Sequence, residues 1–345
     1  MNLHLLIPAL LWPDLSQRDI YHDLSLPTLE IILAKSERIK DQPREIDAWL
    51  CHTFGITKQQ DWPVAPIMLQ IDSPDKIKNS KDYWIRADPV HLRIEQNHIM
   101  LADSQIFQIT QEEANQFAEV LNDNFNKDNL TFLPLCPDRW YVHTTDIPAI
   151  HTHSLSQMTC RNINNSLPFG QDSMRWHRTF NEIQMLLHEH PLNQARTVRG
   201  ELAINSIWFW GGGTMPKKVT SNYNQIWSHD AFPRALAQAS HTQHAELPPN
   251  ASTWQQLATP GNHLVVLNSL LEKANYRNAY SWRENLKELE RNWFTPLHQA
   301  LQKGTIDQLT ITSMNENSTL NFTVTRASLW KFWRPIKSLM TYNIT

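Results

Sequence analysis

Paired histidines are the first residues in this 345-residue sequence whose spacing could do chemistry: His151-Thr-His153 and His188-Glu-His190. Imidazole pairs invite a metal ion. On a strand His151 and His153 would share a face, but no nearby carboxylate completes a ligand set. On a helix, positions i and i+2 point about 200° apart, so His188 and His190 cannot chelate together. Ordinary hydrogen-bonded histidines are the expectation at both places. Cys51, Cys136 and Cys160 are far apart and form no C-x-x-C pair. That suits free buried thiols in a reducing compartment, with a catalytic cysteine as the less favoured alternative.

The stretch Ile207–Pro216, "IWFWGGGTMP", holds Gly211, Gly212 and Gly213 in a chain with 8 glycines. It contains neither G-x-G-x-x-G nor G-K-[ST], so no nucleotide fingerprint is present. Lys217 and Lys218 follow, but no helix N-terminus is evident to hold a phosphate. A tight exit from a core strand is favoured over contact with a ligand. No G-x-S-x-G elbow and no Ser-His-Asp arrangement appears. Acidic residues are dispersed, with no D-x-D or D-H pair at the end of a strand in the α/β part.

The elements that must position these residues read as follows. His4–Leu10 is an apolar run of the parallel-strand kind. A helix spans about Ser25 to Arg38, with Pro27 in its first turn. Val64–Ile71, between Pro63 and Pro74, is the next strand. "YWIRADPVHLRIEQNHIMLAD" (Tyr83–Asp103) predicts two antiparallel strands turning at Gln96-Asn97. Thr110–Glu113 is a capping box opening a helix with Ala114, Phe117, Ala118 and Leu121 on one face. Trp140–Val142 predicts a strand, and Asp172–His188 a helix closed by Pro191. Ala203–Trp210 predicts a strand that stops at the glycines. A helix (Asp230–Ala239), a strand (His263–Leu267), a long helix (Ser281–Lys303, with a second capping box at Ser281–Glu284) and strands Leu309–Met314 and Leu320–Val324 follow. Strands alternating with helices at both ends predict an α/β sheet of residues 1–82 and 223–345, with an inserted α+β domain over 83–222.

Composition sets the class. At 41% hydrophobic and 19% charged residues, the chain reads as an ordered soluble globule. A net charge of -3 argues against wrapping nucleic acid as the main task. The opening "MNLHLLIPALLWPD" is too short to span a bilayer and lacks the marks of a secretory leader, so no membrane is expected and the cytoplasm is the expected location. The 14 tryptophans are spread along the chain, which predicts core packing rather than a base-stacking surface.

"HEHPLNQARTVRGELAINSIWFWGGGTMP" (His188–Pro216) resembles the archaeal-type, cofactor-independent phosphoglycerate mutases, with their H-P-x-N-x-x-R, A-N and W-x-W-G-x-G-x-x-P segments. "RADPVHLRIEQNHIMLADSQIFQITQEEANQF" (Arg86–Phe117) is similar to the strand pair and E-E-A helix of the same family. Through "WIRADPVHL", "DRW" (Asp138–Trp140), "NSIWFWGGG" and "LWKFWR" (Leu329–Arg334), the whole chain also resembles a bacterial group of "regulatory protein, RpfE type". The resemblance implies an alkaline-phosphatase-like, mostly parallel sheet core flanked by helices, with a substrate-type domain inserted. It implies two divalent metals and a phosphorylated serine, whose ligands the chain lacks. Ile7-Pro8-Ala9-Leu10 stands where the family has aspartate-glycine, and Ile46 beside Asp47 where it has its nucleophile. Met314 and Asn315 replace an Asp-His pair, and "LNSLLEKANYRN" (ending at Asn278) replaces a D-x-x-x-H segment. In the insert, Arg86, Arg139, His190, Asn193, Arg196 and Asn205 match positions where the family places polar groups around a phosphorylated substrate or its support. Guanidinium forks suit such anions, and plain stitching of the insert is the alternative.

The resulting expectation is a catalytically degenerate phosphoglycerate-mutase-like protein with a binding or regulatory role. Its expected partners are a phosphorylated or acidic metabolite and a second protein, with no catalytic residue, no metal and no cofactor. The first alternative is an active 2,3-bisphosphoglycerate-independent phosphoglycerate mutase or related phosphohydrolase, which would require Mn or Zn. The second is a transcriptional regulator, for which no helix-turn-helix is evident. The basic, aromatic "SLWKFWRPIK" tail (Ser328–Lys337) is expected to pack as a C-terminal helix on the core.

Overall fold

The structure is a computed structural model and describes residues 1–76, 81–95, 97–315 and 318–344. The chain divides into two compact units, Met1–Phe54 with Thr220–Thr345, and Gly55–Val219. The junctions expected at 82/83 and 222/223 therefore stand at 54/55 and 219/220.

In chain order the first unit supplies β1 (Asn2–Leu6), α1 (Pro27–Lys35), β2 (Glu37–Asp41) and α2 (Ile46–Thr53). The second unit holds α3 (Val64–Asp72), β3 (Tyr83–Glu95), β4 (His98–Ala102), α4 (Gln111–Phe125), β5 (Leu130–Cys136) and β6 (Arg139–Thr144). It continues with the short β7 (Ile150–His151), α5 (Leu155–Met158) and β8 (Phe169–Gly170), then α6 (Ser173–His188), α7 (Pro191–Val198) and β9 (Ser206–Gly213). The chain re-enters the first unit with β10 (Gln225–Trp227), α8 (Ala231–Ala239), β11 (Gln243–Ala245), α9 (Ala251–Leu257) and β12 (Asn262–Val266). It ends with α10 (Ser269–Asn275), α11 (Ala279–Leu289), α12 (Thr295–Lys303), β13 (Gln308–Met314), β14 (Thr319–Thr325) and α13 (Leu339–Ile344).

The first unit is the expected mostly parallel sheet with flanking helices. Its strand order is β11-β10-β12-β1-β13-β14-β2, parallel up to β13 and antiparallel at β14 and β2. Central strands buried on both faces need continuous apolar runs, and Leu264, Val265 and Val266 supply one. The long helix expected over Ser281–Lys303 is interrupted by a π-helical turn at Glu290–Phe294 between α11 and α12. The turn has a use. Buried Glu290 accepts hydrogen bonds from the amides of Thr28 (2.7 Å) and Leu29 (3.0 Å), the otherwise uncapped start of α1. The capping box expected at Ser281 is absent, because α11 starts earlier and Asn278 caps it by accepting from the Ser281 amide at 3.0 Å.

In the second unit, β4-β3-β6-β5 form an antiparallel sheet, and β9 pairs with β3 over Trp84–Val90, overlapping the β3–β6 pairing at Trp84 and Arg86. The hairpin of β3 and β4 has the expected pairing, Glu95 opposite His98. Gln96, expected at its turn, lies outside the described residues. The capping box at Thr110 is present in both directions, each bond 3.1 Å. Three expectations fail. Val64–Ile71 is not a strand but helix α3, whose residues Val64–Leu69 are all buried; a short run apolar on every side reads alike in both forms. Pro191 does not end α6 but opens α7. The glycines do not end a strand but belong to β9, which continues to Gly213.

Close approach explains the triplet. A Cβ on Gly211, itself at φ 65°, would meet Val64 Cβ at 3.0 Å; on Gly212 it would meet Tyr83 Oη at 2.8 Å, and on Gly213 Pro63 Cβ at 2.6 Å. Glycine lets β9 lie against the start of α3. All these contacts are inside the second unit.

His4, on central strand β1, is a titratable group held inside the first unit's sheet. His4 Nδ1 is 2.8 Å from Tyr223 Oη, and Nε2 is 2.6 Å from Thr312 Oγ1. Thr312 spends its proton on Asn321 Oδ1 (2.6 Å), so it accepts from His4 Nε2–H, and Nδ1 accepts from the tyrosine. The ring is thus neutral, and burial pulls its pKa down to about 4. A base whose folded pKa lies below its unfolded value near 6.5 contributes stability that is full above 6.5 and lost as pH falls towards 4. Urea unfolding at pH 7, 5.5 and 4.5 is expected to show His4→Gln losing less stability with acid than the parent, by about 2.4 kcal/mol over that window. Parallel pH profiles for the two proteins would refute the assignment.

Candidate functional site

The six polar residues matched in the inserted unit divide into two sets. Arg86 and Arg139 come together, on β3 and at the start of β6. In the antiparallel register Arg86 stands opposite Tyr141 on β6 and Trp210 on β9. Its guanidinium lies over both rings, 5.1 and 5.3 Å from their centres. Asp88, two residues along the same strand and so on the same face, accepts from Arg86 Nε (3.1 Å) and Nη2 (2.6 Å). It also accepts from the Trp140 amide (3.1 Å) and Trp210 Nε1 (2.7 Å). Burial pushes the Asp88 carboxyl upward, but every neighbour donates to it, so the carboxylate persists beside a charged Arg86.

Arg139 makes a two-pronged bond to Asp72 at the end of α3, Nε to Oδ2 (3.0 Å) and Nη2 to Oδ1 (2.9 Å). Tyr141 Oη donates to the same carboxylate at 2.6 Å. Burial would raise the Asp72 pKa, yet the bonds from Arg139 and Tyr141 outweigh it and hold the carboxyl below its usual range. Nη2 of Arg139 also reaches Cys136 Sγ at 2.9 Å, and burial keeps that thiol's pKa raised despite the cation. Two guanidiniums thus face two carboxylates across Tyr141. The Arg139 side chain remains 26% exposed and Arg86 only 5%.

The other four hold backbone. His190 is the N-cap of α7, its Nδ1 accepting from the Leu192 amide at 3.2 Å, and burial lowers its pKa. Asn193 donates to the carbonyls of Leu187 and Ile204 and accepts from the Ile204 amide. Arg196, 1% exposed, donates to the carbonyls of Leu202 and Gln108 and to Glu113 Oε2 at 2.9 Å. Asn205 bridges the amide and carbonyl of Leu92. None of the six lines the open hollow of about 460 Å³ near Ile99, Asn164, Phe180 and Gln184. The His151–His153 pair is similarly engaged: His151 Nδ1 is 2.9 Å from the Gln60 carbonyl, and His153 Nδ1 3.0 Å from Gln157 Oε1.

In the first unit the carboxyl ends of the parallel strands are the place to look for a ligand. After β1, Ile7, Ala9 and Leu10 are buried, and Met314, the last residue of β13, is buried. Ala9 adopts φ 55°, and its carbonyl accepts from Trp282 Nε1 at 2.9 Å. Polarity gathers instead beyond β10 and β11. His229-Asp230 follows β10, in the order His-Asp rather than Asp-His. His229 Nδ1 is 2.9 Å from Glu246 Oε2, and His244 Nε2 is 3.1 Å from the Ser228 carbonyl. Burial raises the Asp230 pKa, opposed by His229 and by a hydrogen bond with Asn268 after β12. Asn268 Oδ1 is buried without a hydrogen-bond partner. From β10 the chain moves outward to β11 and then back past it to β12, so Asp230 and Asn268 flank a topological switch point. The pair was legible as adjacent letters, but a strand of three residues left no pattern to mark its position.

Among the described residues, no group of three or more His, Cys, Asp or Glu could hold a metal ion. Buried Ile7, Ala9 and Met314 offer no oxygen or imidazole donors, so these strand ends do not fit the pair of divalent cations that the resemblance implies.

No family model matches the chain. It is 25% identical over 145 residues to a probable 2,3-bisphosphoglycerate-independent phosphoglycerate mutase of Geobacter sulfurreducens, covering 41% of this chain and 36% of that protein. It is 28% identical over 138 residues to the 2,3-bisphosphoglycerate-independent phosphoglycerate mutase of Methanosarcina mazei, covering 39% and 35%. The chain thus spans little more than a third of the length of these curated relatives. Among solved structures, the PH0037 protein of Pyrococcus horikoshii superposes with a TM-score of 0.58 at 10% identity, over 94% of this chain and 87% of that one. That likeness is one of fold. The chain is similar to phosphoglycerate-mutase-like proteins, in sequence over about two fifths of its length.

Removing Asp88 would leave the Arg86 charge buried and unpaired. Asp88→Ala is expected to cost about 3–5 kcal/mol in urea unfolding, and the apolar pair Arg86→Met/Asp88→Leu distinctly less. A loss below about 1 kcal/mol for Asp88→Ala would mean the pair does not organise the sheet.

Proposed function

We propose that the chain is a catalytically degenerate phosphoglycerate-mutase-like protein that acts by binding. Its ligand in this reading is a phosphorylated or acidic metabolite, and its output is a change in a protein partner, the kind of role an RpfE-type regulatory protein would have. The observation that carries the reading is the buried apolar wall of Ile7, Ala9, Leu10 and Met314 at the ends of β1 and β13. A two-metal phosphoryl transfer needs anionic or imidazole ligands around both cations. Of the six matched residues, Arg139 is the proposed ligand contact. Its guanidinium is held in a fixed orientation by Asp72 while part of the side chain stays exposed. Among the described residues no disulfide joins Cys51, Cys136 and Cys160, which suits a reducing compartment, and the cytoplasm is the proposed location.

A second reading is an active metal-dependent mutase or phosphohydrolase; against it, His229, Asp230, His244 and Glu246, in and after β10 and β11, form no group that could hold a metal ion among the described residues. One experiment separates the two. Purified protein with manganese and 3-phosphoglycerate is expected to form no 2-phosphoglycerate. Turnover of about 1 s⁻¹, near the low end for enzymes, would overturn the binding reading. The same 3-phosphoglycerate, at about 100 times its Kd, should stabilise the protein by about 2.7 kcal/mol in thermal unfolding. Arg139→Gln should abolish that shift, and an undiminished shift would remove Arg139 from the site.

A further inference from the structure

The stretch that follows β14 does not pack as a C-terminal helix. Ala327–Trp330 makes one 3-10 turn, and tight turns continue to Arg334. Trp330 is 79% exposed, Phe332 85%, Trp333 66% and Ile336 56%. Four large apolar side chains within seven residues are thus turned to solvent, although Trp12, Trp140, Trp208, Trp254 and Trp282 are fully buried. Isolated exposed apolar residues need no explanation, but a contiguous set does.

The backbone beneath them is fixed. The ammonium of Lys35, a buried residue, donates to the carbonyls of Lys331 and Arg334, both at 2.8 Å. Arg334 Nη1 donates in turn to the Ser36 carbonyl. Beyond the turns, Glu30 Oε1 accepts from the Leu339 amide at 3.1 Å, and Leu339 and Tyr342 are buried. The segment is pinned on both sides, so its aromatic rings are presented rather than left loose. A surface ordered before binding loses less freedom on binding.

Charge identifies the partner. From Arg326 to Thr345 the sequence carries Arg326, Lys331, Arg334 and Lys337 and no Asp or Glu, in a chain whose net charge is -3. We propose that this segment is a peripheral docking surface for an anionic lipid bilayer, with Trp330, Phe332, Trp333 and Ile336 entering the headgroup–acyl boundary and Lys331 and Lys337 meeting lipid phosphates and carboxylates. Among the described residues, no helix is long and apolar enough to cross a membrane. Lying on a bilayer asks for other chemistry: aromatic rings at the interface and nearby basic groups. Three rival occupants fit less well. A second copy docked face to face would set basic residues against basic residues. Single-stranded nucleic acid needs flat faces for stacking, whereas the Phe332 and Trp333 rings stand edge to face at 83°, and Ile336 has no face to offer. Cores of protein interfaces are depleted in lysine, which here stands between Trp330 and Phe332 and again after Ile336. The inference is independent of the ligand reading above.

The test is flotation with phosphatidylcholine vesicles, with and without phosphatidylserine, followed by tryptophan emission. The parent protein is expected to float with the anionic vesicles, with emission shifted to the blue, and to be released by high salt. Trp330→Ser/Phe332→Ser/Trp333→Ser should bind at least about tenfold more weakly with an unchanged melting temperature, because these side chains are not in the core. Lys331→Gln/Lys337→Gln, which spares the backbone bonds to Lys35, should lose roughly tenfold or more on anionic vesicles and little on neutral ones. Failure of the parent to bind anionic vesicles, equal binding by the variants, tighter binding to oligo-dT than to vesicles, or a dimer in sedimentation that the triple substitution dissolves would each overturn the proposal.

Discussion

Two opposite charges buried between aromatic rings organise the inserted unit. Asp88 takes hydrogen bonds from its own strand, from the Trp140 amide on β6 and from the Trp210 indole on β9. A carboxylate stripped of water tolerates few alternatives to that set of donors. Because side chains alternate across a strand, a slip of one residue would turn Arg86 and Asp88 to the opposite face and leave both unpaired. Burial of the pair therefore locks the relative register of β3, β6 and β9. Tyr141 extends the lock to α3 through Asp72, and the glycine triplet lets β9 come near enough to α3 for the arrangement to close.

The same arrangement limits what the unit can do chemically. Guanidiniums aligned on carboxylates do not form a positive trap for an anion, and Arg86 has almost no surface left to offer. Arg196 is committed more completely still, to two carbonyls and a carboxylate. Residue types suited to phosphate recognition have been drawn into holding strands and helix ends. Arg139 is the exception in degree, since it keeps part of its side chain in solvent while Asp72 orients it.

In the first unit the chemistry lies to one side of the sheet. The ends of β1 and β13, at its centre, are sealed by Ile7, Leu10 and Met314, while the ends of β10 and β11 carry His229, Asp230, His244 and Glu246. A half-buried carboxyl with a raised pKa at a switch point, beside an amide oxygen lacking a partner, is an unspent polar site. It is not the ligand cage of a two-metal phosphoryl transfer.

Much of this architecture was legible in the amino-acid order. The alternation of apolar runs and amphipathic stretches gave the mostly parallel sheet and its inserted unit, because strand and helix periods are local properties of the chain. Thr110 and Glu113 announced their helix because a capping box closes within four residues. Other features were decided only by tertiary contact. Val64–Leu69 is apolar on every side and became a helix because the unit buries it on all faces. The glycines stayed within β9 because Pro63, Val64 and Tyr83 press on them, and nothing in a string of three glycines names those neighbours. Arg86, Arg139, His190, Asn193, Arg196 and Asn205 were visible as residue types, but whether each faces a ligand or a carbonyl depends on partners up to 113 positions away. Sequence fixes which groups can donate and accept; the fold alone decides which of them are already satisfied.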